Sequence, residues 1–324
     1  PDAIRTRTPN TGKRFMINVL FAARPDRFQE YEQPLRDAFE TAGLDVNLAT
    51  QMPAGDVDYI VYAPNSTVQD FTPFTRCRAV LNLWAGVEAV VGNQTLTMPL
   101  CRMVDSGLTS GMVEWVAGHV LRHHLGMDAH INNLDRIWND TPPPIAKDRP
   151  VTILGLGTLG TACGQALSTL GFPVTGWSQS AKDVDGITCL HGAAGLTAAL
   201  RDAEIMVLLL PDTPNTRHTL NAETLALMPM GAHIINPGRG PLIDDDALLA
   251  ALDSGRIRHA TLDVFRVEPL PTDHPYWSHP NVTVTPHIAA ETRAVTASEV
   301  IAENIRRGEA GKGLLYLVDR ALGY

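Results

Sequence analysis

The chain has 324 residues, 44% of them hydrophobic and 19% charged, with a formal net charge of −9 at pH 7. That length allows two domains with proper cores, and the acidic balance excludes a general nucleic-acid surface, whose footprint is basic. The longest apolar run, around residues 205–210, is of strand length. A membrane span needs ~20 such residues, so neither a nucleic acid nor a membrane is expected as a partner.

Residues 1–15 are polar, carry Arg5, Arg7, Lys13 and Arg14, and lack a signal-peptide pattern. They read as a short tail, native or appended, with Met16 opening the folded domain. Residues 17–23 are strand-like, and 34–42 read as a helix stopped by Gly43. Residues 46–49, 59–62, 79–83 and 100–104 read as further strands, short and rich in Val, Ile or Leu. Together they describe a small α/β unit. A long helix candidate follows at 108–126, and Thr141-Pro-Pro-Pro144 is a loop signal. A second alternation begins at Val151, with strand candidates at 151–154, 174–177, 205–210, 233–235, 260–262 and 282–285. Six strands in β-α-β series fit a doubly wound sheet. Residues 291–308 read as one long helix with Val295, Val300, Ile301 and Ile305 on an apolar face, returning the chain to the first unit.

Cys77, Cys101, Cys163 and Cys189 form no C-x-x-C pair and no metal spacing. They read as free thiols in a reducing cytoplasm. His119 and His123 are four apart on the long helix, but Val120 stands where a zinc-protease helix carries Glu. With His124 adjacent, this reads as a solvated or interface face, and no metal is expected.

The run Val151-Thr-Ile-Leu-Gly155-Leu-Gly157-Thr-Leu-Gly160 is a G-x-G-x-x-G between a strand signal and a helix signal. The first glycine allows the tight turn, the second lets backbone approach a pyrophosphate, and the third lets helix and strand pack closely. The helix N-terminus then faces the phosphates. Three further groups each follow a strand candidate: Asn236-Pro-Gly-Arg239-Gly, Asp263-Val-Phe-Arg-Val-Glu268-Pro and Thr285-Pro-His287. Ligands in open α/β sheets bind outside the carboxyl ends of the strands, so the groups converge on the edge that holds the glycine turn. Arginine offers a fixed cationic fork to a carboxylate or carbonyl. Histidine exchanges protons near neutral pH, and a carboxylate on its other nitrogen would orient it and favour its protonated form.

Taken together, these motifs resemble the D-isomer-specific 2-hydroxyacid dehydrogenases over essentially the whole chain from Met16. The segments Leu83-Trp-Ala-Gly-Val-Glu88, Val104-Asp-Ser-Gly-Leu-Thr109 and Trp177-Ser-Gln-Ser180 are similar to the glyoxylate/hydroxypyruvate reductase branch of that family. The resemblance implies two Rossmann-like domains, the nucleotide-binding one (106–288) inserted into a flavodoxin-like substrate domain (1–105 and 289–324). It implies a cleft between them that closes on substrate, and a homodimer with residues 108–140 as a contact. It makes His287 the general acid for a ketone oxygen, Glu268 its partner, and Arg239 the group that binds the substrate carboxylate and polarises C2.

The same resemblance places cofactor around Gly155, Gly157, Thr158, Leu159 and Gly160, and around Leu210, Pro211 and Thr216. Asn236, Pro237, Gly238 and His287 join that set, with Asp263 on the nicotinamide carboxamide. Backbone N–H groups near Ala85 and Gly86 hold the substrate carboxylate. Trp84 beside them favours small 2-oxo acids such as glyoxylate and hydroxypyruvate. Met112 and Trp115 either line the same pocket or pack the core, and Trp138 caps a partner subunit's site.

At the end of the second strand of this domain, where NAD-preferring proteins place an acid, stand Trp177, Ser178, Gln179, Ser180 and Lys182. Serine donors and a lysine charge suit a 2′-phosphate, so NADP is expected over NAD. Gln179 departs from the arginine usual in the branch, which leaves NAD possible. A broader 2-oxo acid range and a cofactor-sensing corepressor are the alternatives that remain.

Overall fold

The short Val-, Ile- and Leu-rich runs become strands of two parallel sheets. The structure, a computed structural model, describes residues 16–323, and the reading of 1–15 as a tail lies outside the described residues. The chain runs β1 (Ile17–Ala22), α1 (Pro25–Thr41), β2 (Val46–Ala49), β3 (Tyr59–Tyr62), β4 (Ala79–Asn82), β5 (Leu100–Cys101), α2 (Ser106–His124) and α3 (Met127–Ile131). It continues β6 (Val151–Leu154), α4 (Thr158–Thr169), β7 (Val174–Ser178), β8 (Thr188–His191), α5 (Gly192–Arg201), β9 (Ile205–Leu208) and α6 (Ala222–Leu227). Last come β10 (Ala232–Asn236), α7 (Asp245–Asp253), β11 (Ile257–Leu262), β12 (Val282–Val284) and α8 (Ala294–Glu309). The chain divides into two units: the described residues through Leu108 and from Thr292 form one, Thr109–Glu291 the other.

The first unit holds a parallel sheet of order β2-β1-β3-β4-β5, the flavodoxin-like arrangement. Alternate residues of β1 feed two cores. Val19 and Phe21 pack with Tyr31, Leu35 and Phe39 of α1 and Ile301 and Ile305 of α8. Leu20 and Ala22 pack with Ile60, Tyr62, Phe71 and Val80. Helix α1 begins nine residues before its expected start at 34, at Pro25, and carries Pro34 inside it. An interior proline costs ~3 kcal/mol, but the stripe Tyr31, Leu35, Phe39 is buried, and each such side chain returns ~1.5–3 kcal/mol.

The second unit has order β12-β11-β10-β9-β6-β7-β8, again parallel. Strand order reverses between β6 and β9, the switch point at which doubly wound sheets bind ligands. The seventh strand, β8, is absent from the sequence expectation. It lies at the sheet edge with no fully buried residue, so it carries no continuous apolar run.

Helix α2 corrects another expectation. His123 and His124 are each 5% exposed and face neither solvent nor an open surface. They extend the buried stripe of Met112, Val116 and Val120 by one helical turn. The His123 Nε2 lies 2.9 Å from Thr261 Oγ1, and its ring meets those of His233 and His259 at 4.7 and 5.2 Å. Among the described residues no group of His, Cys, Asp or Glu is placed to hold a metal ion, and no helix is long and apolar enough to cross a membrane.

Candidate active site

The glycine turn sits at the switch point. Gly155 has φ +111°, and a Cβ there would lie 2.5 Å from the Leu209 carbonyl oxygen. At Gly160 a Cβ would lie 1.8 Å from the Gly155 carbonyl oxygen, so only glycine lets α4 pack this close to β6. Gly157 is different: nothing lies within 4 Å of its Cβ position. It is the N-cap of α4 and no side chain caps the helix. The N–H groups of Thr158, Leu159 and Gly160, orphaned by helix geometry, are therefore left for an external acceptor, as a bound pyrophosphate requires. Beside the turn, Leu210 is buried and the Thr216 hydroxyl donates to the Pro211 carbonyl at 2.6 Å, folding the loop after β9.

Three strands of the same sheet deliver the polar groups. After β10, Asn236 Nδ2 donates to the Arg239 carbonyl at 3.0 Å and Asn236 Oδ1 accepts the Gly238 N–H at 3.1 Å, so the asparagine side chain shapes the turn of Pro237 and Gly238. The Arg239 guanidinium donates to the Gly238 carbonyl at 2.7 Å. Its neighbour Gly240 abuts the loop after β11, where a Cβ would meet the Phe265 carbonyl carbon at 2.0 Å. From that loop Glu268 accepts the Phe265 N–H on Oε1 at 2.9 Å, and its Oε2 lies 2.7 Å from His287 Nδ1.

The pair polarises both partners. The Glu268 hydrogen bond is the largest influence on His287 and raises its pKa above the ordinary value, against burial and the nearby Arg239 charge. Burial alone pushes the Glu268 carboxyl up, but the bonds from His287 and Phe265 outweigh it, and its pKa lies below the ordinary value. With Nδ1 on Glu268, the His287 Nε2 is the nitrogen left to exchange a proton with a ligand.

Asp263 carries a structural part that its motif does not reveal. Its carboxylate is fully buried and accepts the Thr285 hydroxyl at 2.6 Å and the N–H groups of Ile288 and Ala289 at 2.9 and 2.8 Å. Its backbone carbonyl accepts the His287 N–H at 2.8 Å. His287 itself has φ +53°, a left-handed conformation a side chain rarely adopts. The Asp263 carboxylate thus holds the turn that presents His287.

At the end of β7, Gln179, Ser180 and Lys182 are exposed, while Ser178 is buried and donates its hydroxyl to the Ser180 carbonyl at 2.8 Å. Trp177 does not belong with them. Its indole is 6% exposed, lies in the core with Leu154 and Leu208, and donates to the Gly192 carbonyl at 2.9 Å. Met112 also leaves the set of substrate contacts, being 6% exposed and packed against Ile153, Val207 and Ile235. Trp115 packs on the same core, and its ring meets that of His119 at 4.2 Å with a tilt of 54°.

In the first unit, the turn after β4 carries Trp84, exposed, and Ala85 and Gly86, half-buried. Its organising residue, Asn82, was missed by the motif reading. A buried amide pinning backbone carbonyls leaves no pattern in a sequence.

Comparison with known proteins places these features in a family. Residues 117–289 match the family model described as the D-isomer specific 2-hydroxyacid dehydrogenase NAD binding domain. A glyoxylate/hydroxypyruvate reductase A from Serratia proteamaculans is 39% identical over 257 residues, 77% of this chain and 82% of its own. The crystal structure of a D-isomer specific 2-hydroxyacid dehydrogenase from Xanthobacter autotrophicus Py2 in complex with NADPH and MES is similar with a TM-score of 0.90 at 39% identity. That match covers 96% of this chain and 100% of the other. An NADPH-dependent glyoxylate/hydroxypyruvate reductase from Sinorhizobium meliloti, in complex with NADP and sulfate, gives 0.83 at 34% identity over 95% and 99% of the two chains.

Proposed function

The chain belongs to the D-isomer specific 2-hydroxyacid dehydrogenase family, and on that premise we propose that it reduces a small 2-oxo acid, glyoxylate or hydroxypyruvate, to the D-2-hydroxy acid with NADPH. The observation that carries this reading is the 2.7 Å contact between His287 Nδ1 and Glu268 Oε2 on the sheet edge that holds the glycine turn.

In the proposed reaction the cofactor, when bound, supplies the hydride to C2. Imidazolium His287 donates its Nε2 proton to the carbonyl oxygen as that oxygen gains charge, and Glu268 stabilises the imidazolium until then. Arg239 polarises the carbonyl and binds the carboxylate. The amides of Ala85 and Gly86 supply further donors to the carboxylate. Gly157 and the N-terminus of α4 would hold the pyrophosphate, and Gln179, Ser180 and Lys182, on a loop that Ser178 braces, would hold the adenosine ribose. The exposed Lys182 and the absence of an acid at the end of β7 support the 2′-phosphate form.

We also read the protein as a cytoplasmic homodimer. Four free cysteines suit a reducing compartment. Ile131, Leu134, Ile137 and Trp138 are 71%, 91%, 64% and 93% exposed; an apolar run this open fits burial against a second copy.

A steady-state panel of glyoxylate, hydroxypyruvate, pyruvate and phenylpyruvate, each with NADPH and NADH, tests the function. The expected result is the highest kcat/KM for one of the two small acids with NADPH. Equal or better turnover with NADH, or a preference for phenylpyruvate, would overturn it.

A further inference from the structure

The last residue of β4 is an asparagine in an apolar strand. Ala79, Val80 and Leu81 before it are fully or almost fully buried, and Asn82 is 1% exposed. Its Nδ2 donates to the Trp84 carbonyl at 2.8 Å and to the Gly86 carbonyl at 3.0 Å. Met103 N–H also donates to the Trp84 carbonyl, at 3.0 Å. The Asn82 Oδ1 is buried with no hydrogen-bond partner. A side chain serving packing alone would be apolar here, since an orphan buried acceptor is costly. What the asparagine gains in exchange is a grip on both ends of one turn.

That grip sets the direction of the amides. In a trans peptide the C=O of one residue and the N–H of the next lie in one rigid plane and point in opposite directions. Holding the Trp84 carbonyl toward Asn82 therefore turns the Ala85 N–H away from it. Holding the Gly86 carbonyl fixes the plane beyond, so the Gly86 N–H lies on a peptide flanked by two anchored neighbours. Among the described residues neither the Ala85 nor the Gly86 N–H donates to a protein acceptor. Successive free N–H groups in a turn form a concavity for an anion.

We propose that Asn82 is a positioning residue for substrate: it anchors the Trp84 and Gly86 carbonyls so that the intervening amides stand ready for the carboxylate of the 2-oxo acid. The proposal rests on the reading above that these amides bind that carboxylate. Asn82 touches neither substrate nor cofactor and acts only through the turn.

Asn82→Asp keeps the shape but replaces the donor by an acceptor facing two carbonyls. Asn82→Ser keeps one donor and serves where the aspartate variant does not fold. In the full-length enzyme, Asn82→Asp is expected to raise the KM for glyoxylate and the inhibition constant of oxamate roughly 10- to 100-fold, with Asn82→Ser in between. The Kd for NADPH and the alkaline pKa of kcat/KM should stay as in the parent, which a general loss of structure would not allow. Oxamate inhibition within twofold of the parent in both variants overturns the proposal. Ala85→Pro, which deletes one of the amide donors, separates the two claims. If it weakens oxamate while the Asn82 variants do not, the turn binds carboxylate without help from Asn82. If it too leaves oxamate unchanged, the carboxylate reading falls and the role of Asn82 falls with it.

Discussion

His287 Nδ1 and Glu268 Oε2 lie 2.7 Å apart, and the glutamate is itself anchored by the Phe265 N–H at 2.9 Å. The bond raises the His287 pKa, so the imidazolium that the proposed reduction calls for persists to higher pH than in a free histidine. Reductive kcat/KM should be high below that raised pKa and fall as pH rises through it. Glu268→Gln removes the charge, so the fall should move to lower pH. His287→Ala should lower kcat by ~10²–10⁴. A pH profile that Glu268→Gln leaves in place would argue against the pairing. In stability terms, the His287 contribution is complete below its ordinary 6.5 and lost as pH rises through the folded value. That of Glu268 is present above its ordinary value and lost as pH falls through its lowered one.

Asp263→Asn probes the turn beneath His287. Two backbone N–H groups and the Thr285 hydroxyl all donate to this carboxylate. An asparagine can accept on one side only, and its NH₂ then confronts a donor in a fully buried site. Loss of ~1–3 kcal/mol of stability is expected, with a fall in kcat and an unchanged Kd for NADPH. A variant with parental kcat and weaker NADPH binding would return Asp263 to a cofactor role.

The two outer positions of the glycine turn should respond differently from the middle one. Gly160→Ala places a Cβ 1.8 Å from a carbonyl oxygen, so the variant should fold poorly or melt early. Gly157→Ala has open space around it and should keep its melting temperature while losing NADPH affinity, because on the proposed reading the methyl would occupy the approach of the pyrophosphate. Fluorescence titration with NADPH and thermal melts of both variants decide this. Equal NADPH affinity in Gly157→Ala and the parent would place the pyrophosphate elsewhere.

These contrasts show what a linear sequence conveys. The glycine spacing, and Arg239, Glu268 and His287 each following a strand, were legible because sheet topology sends every strand end to one edge. The five- and seven-stranded parallel sheets followed from short apolar runs, apart from β8, whose edge position removes the signal. The part Asp263 plays beneath His287 was not legible because its partners lie 22 to 26 residues away and two of them are backbone amides. Trp177 and Met112 have site-like neighbours in sequence but point into the core. His123 read as part of a solvated or interface face because its neighbours on β10 and β11 become visible only once the sheet is formed.

On the proposed reading, cofactor choice rests on the exposed residues at the end of β7 and is open to direct change. Gln179→Arg restores a planar cation and should raise the ratio of kcat/KM with NADPH to that with NADH roughly tenfold. Lys182→Ala should lower the same ratio. Movement of neither ratio would place the 2′-phosphate away from this loop.

The histidine cluster beneath α2 should make the fold acid-sensitive. Burial first, then neighbouring charges, pushes His123 down to about 2 and His233 and His259 down to about 4. Arg122 and His119 bear on the cluster from α2, Arg149 from the segment before β6, Arg258 from β11 and His279 from the segment before β12; Asp128 on α3 opposes them at His259. The native state therefore keeps these rings neutral while the unfolded chain takes up protons as pH falls through 6.5. Stability should decline from there toward pH 4, since the unfolded state binds more protons in that window. His259→Gln can keep a hydrogen bond to Thr283, which the histidine holds at 2.8 Å, but cannot titrate. Its denaturation midpoint should fall less steeply between pH 7 and pH 4 than that of the parent. Parallel curves for the two proteins would mean that the carboxylates, and not these rings, set the acid limit.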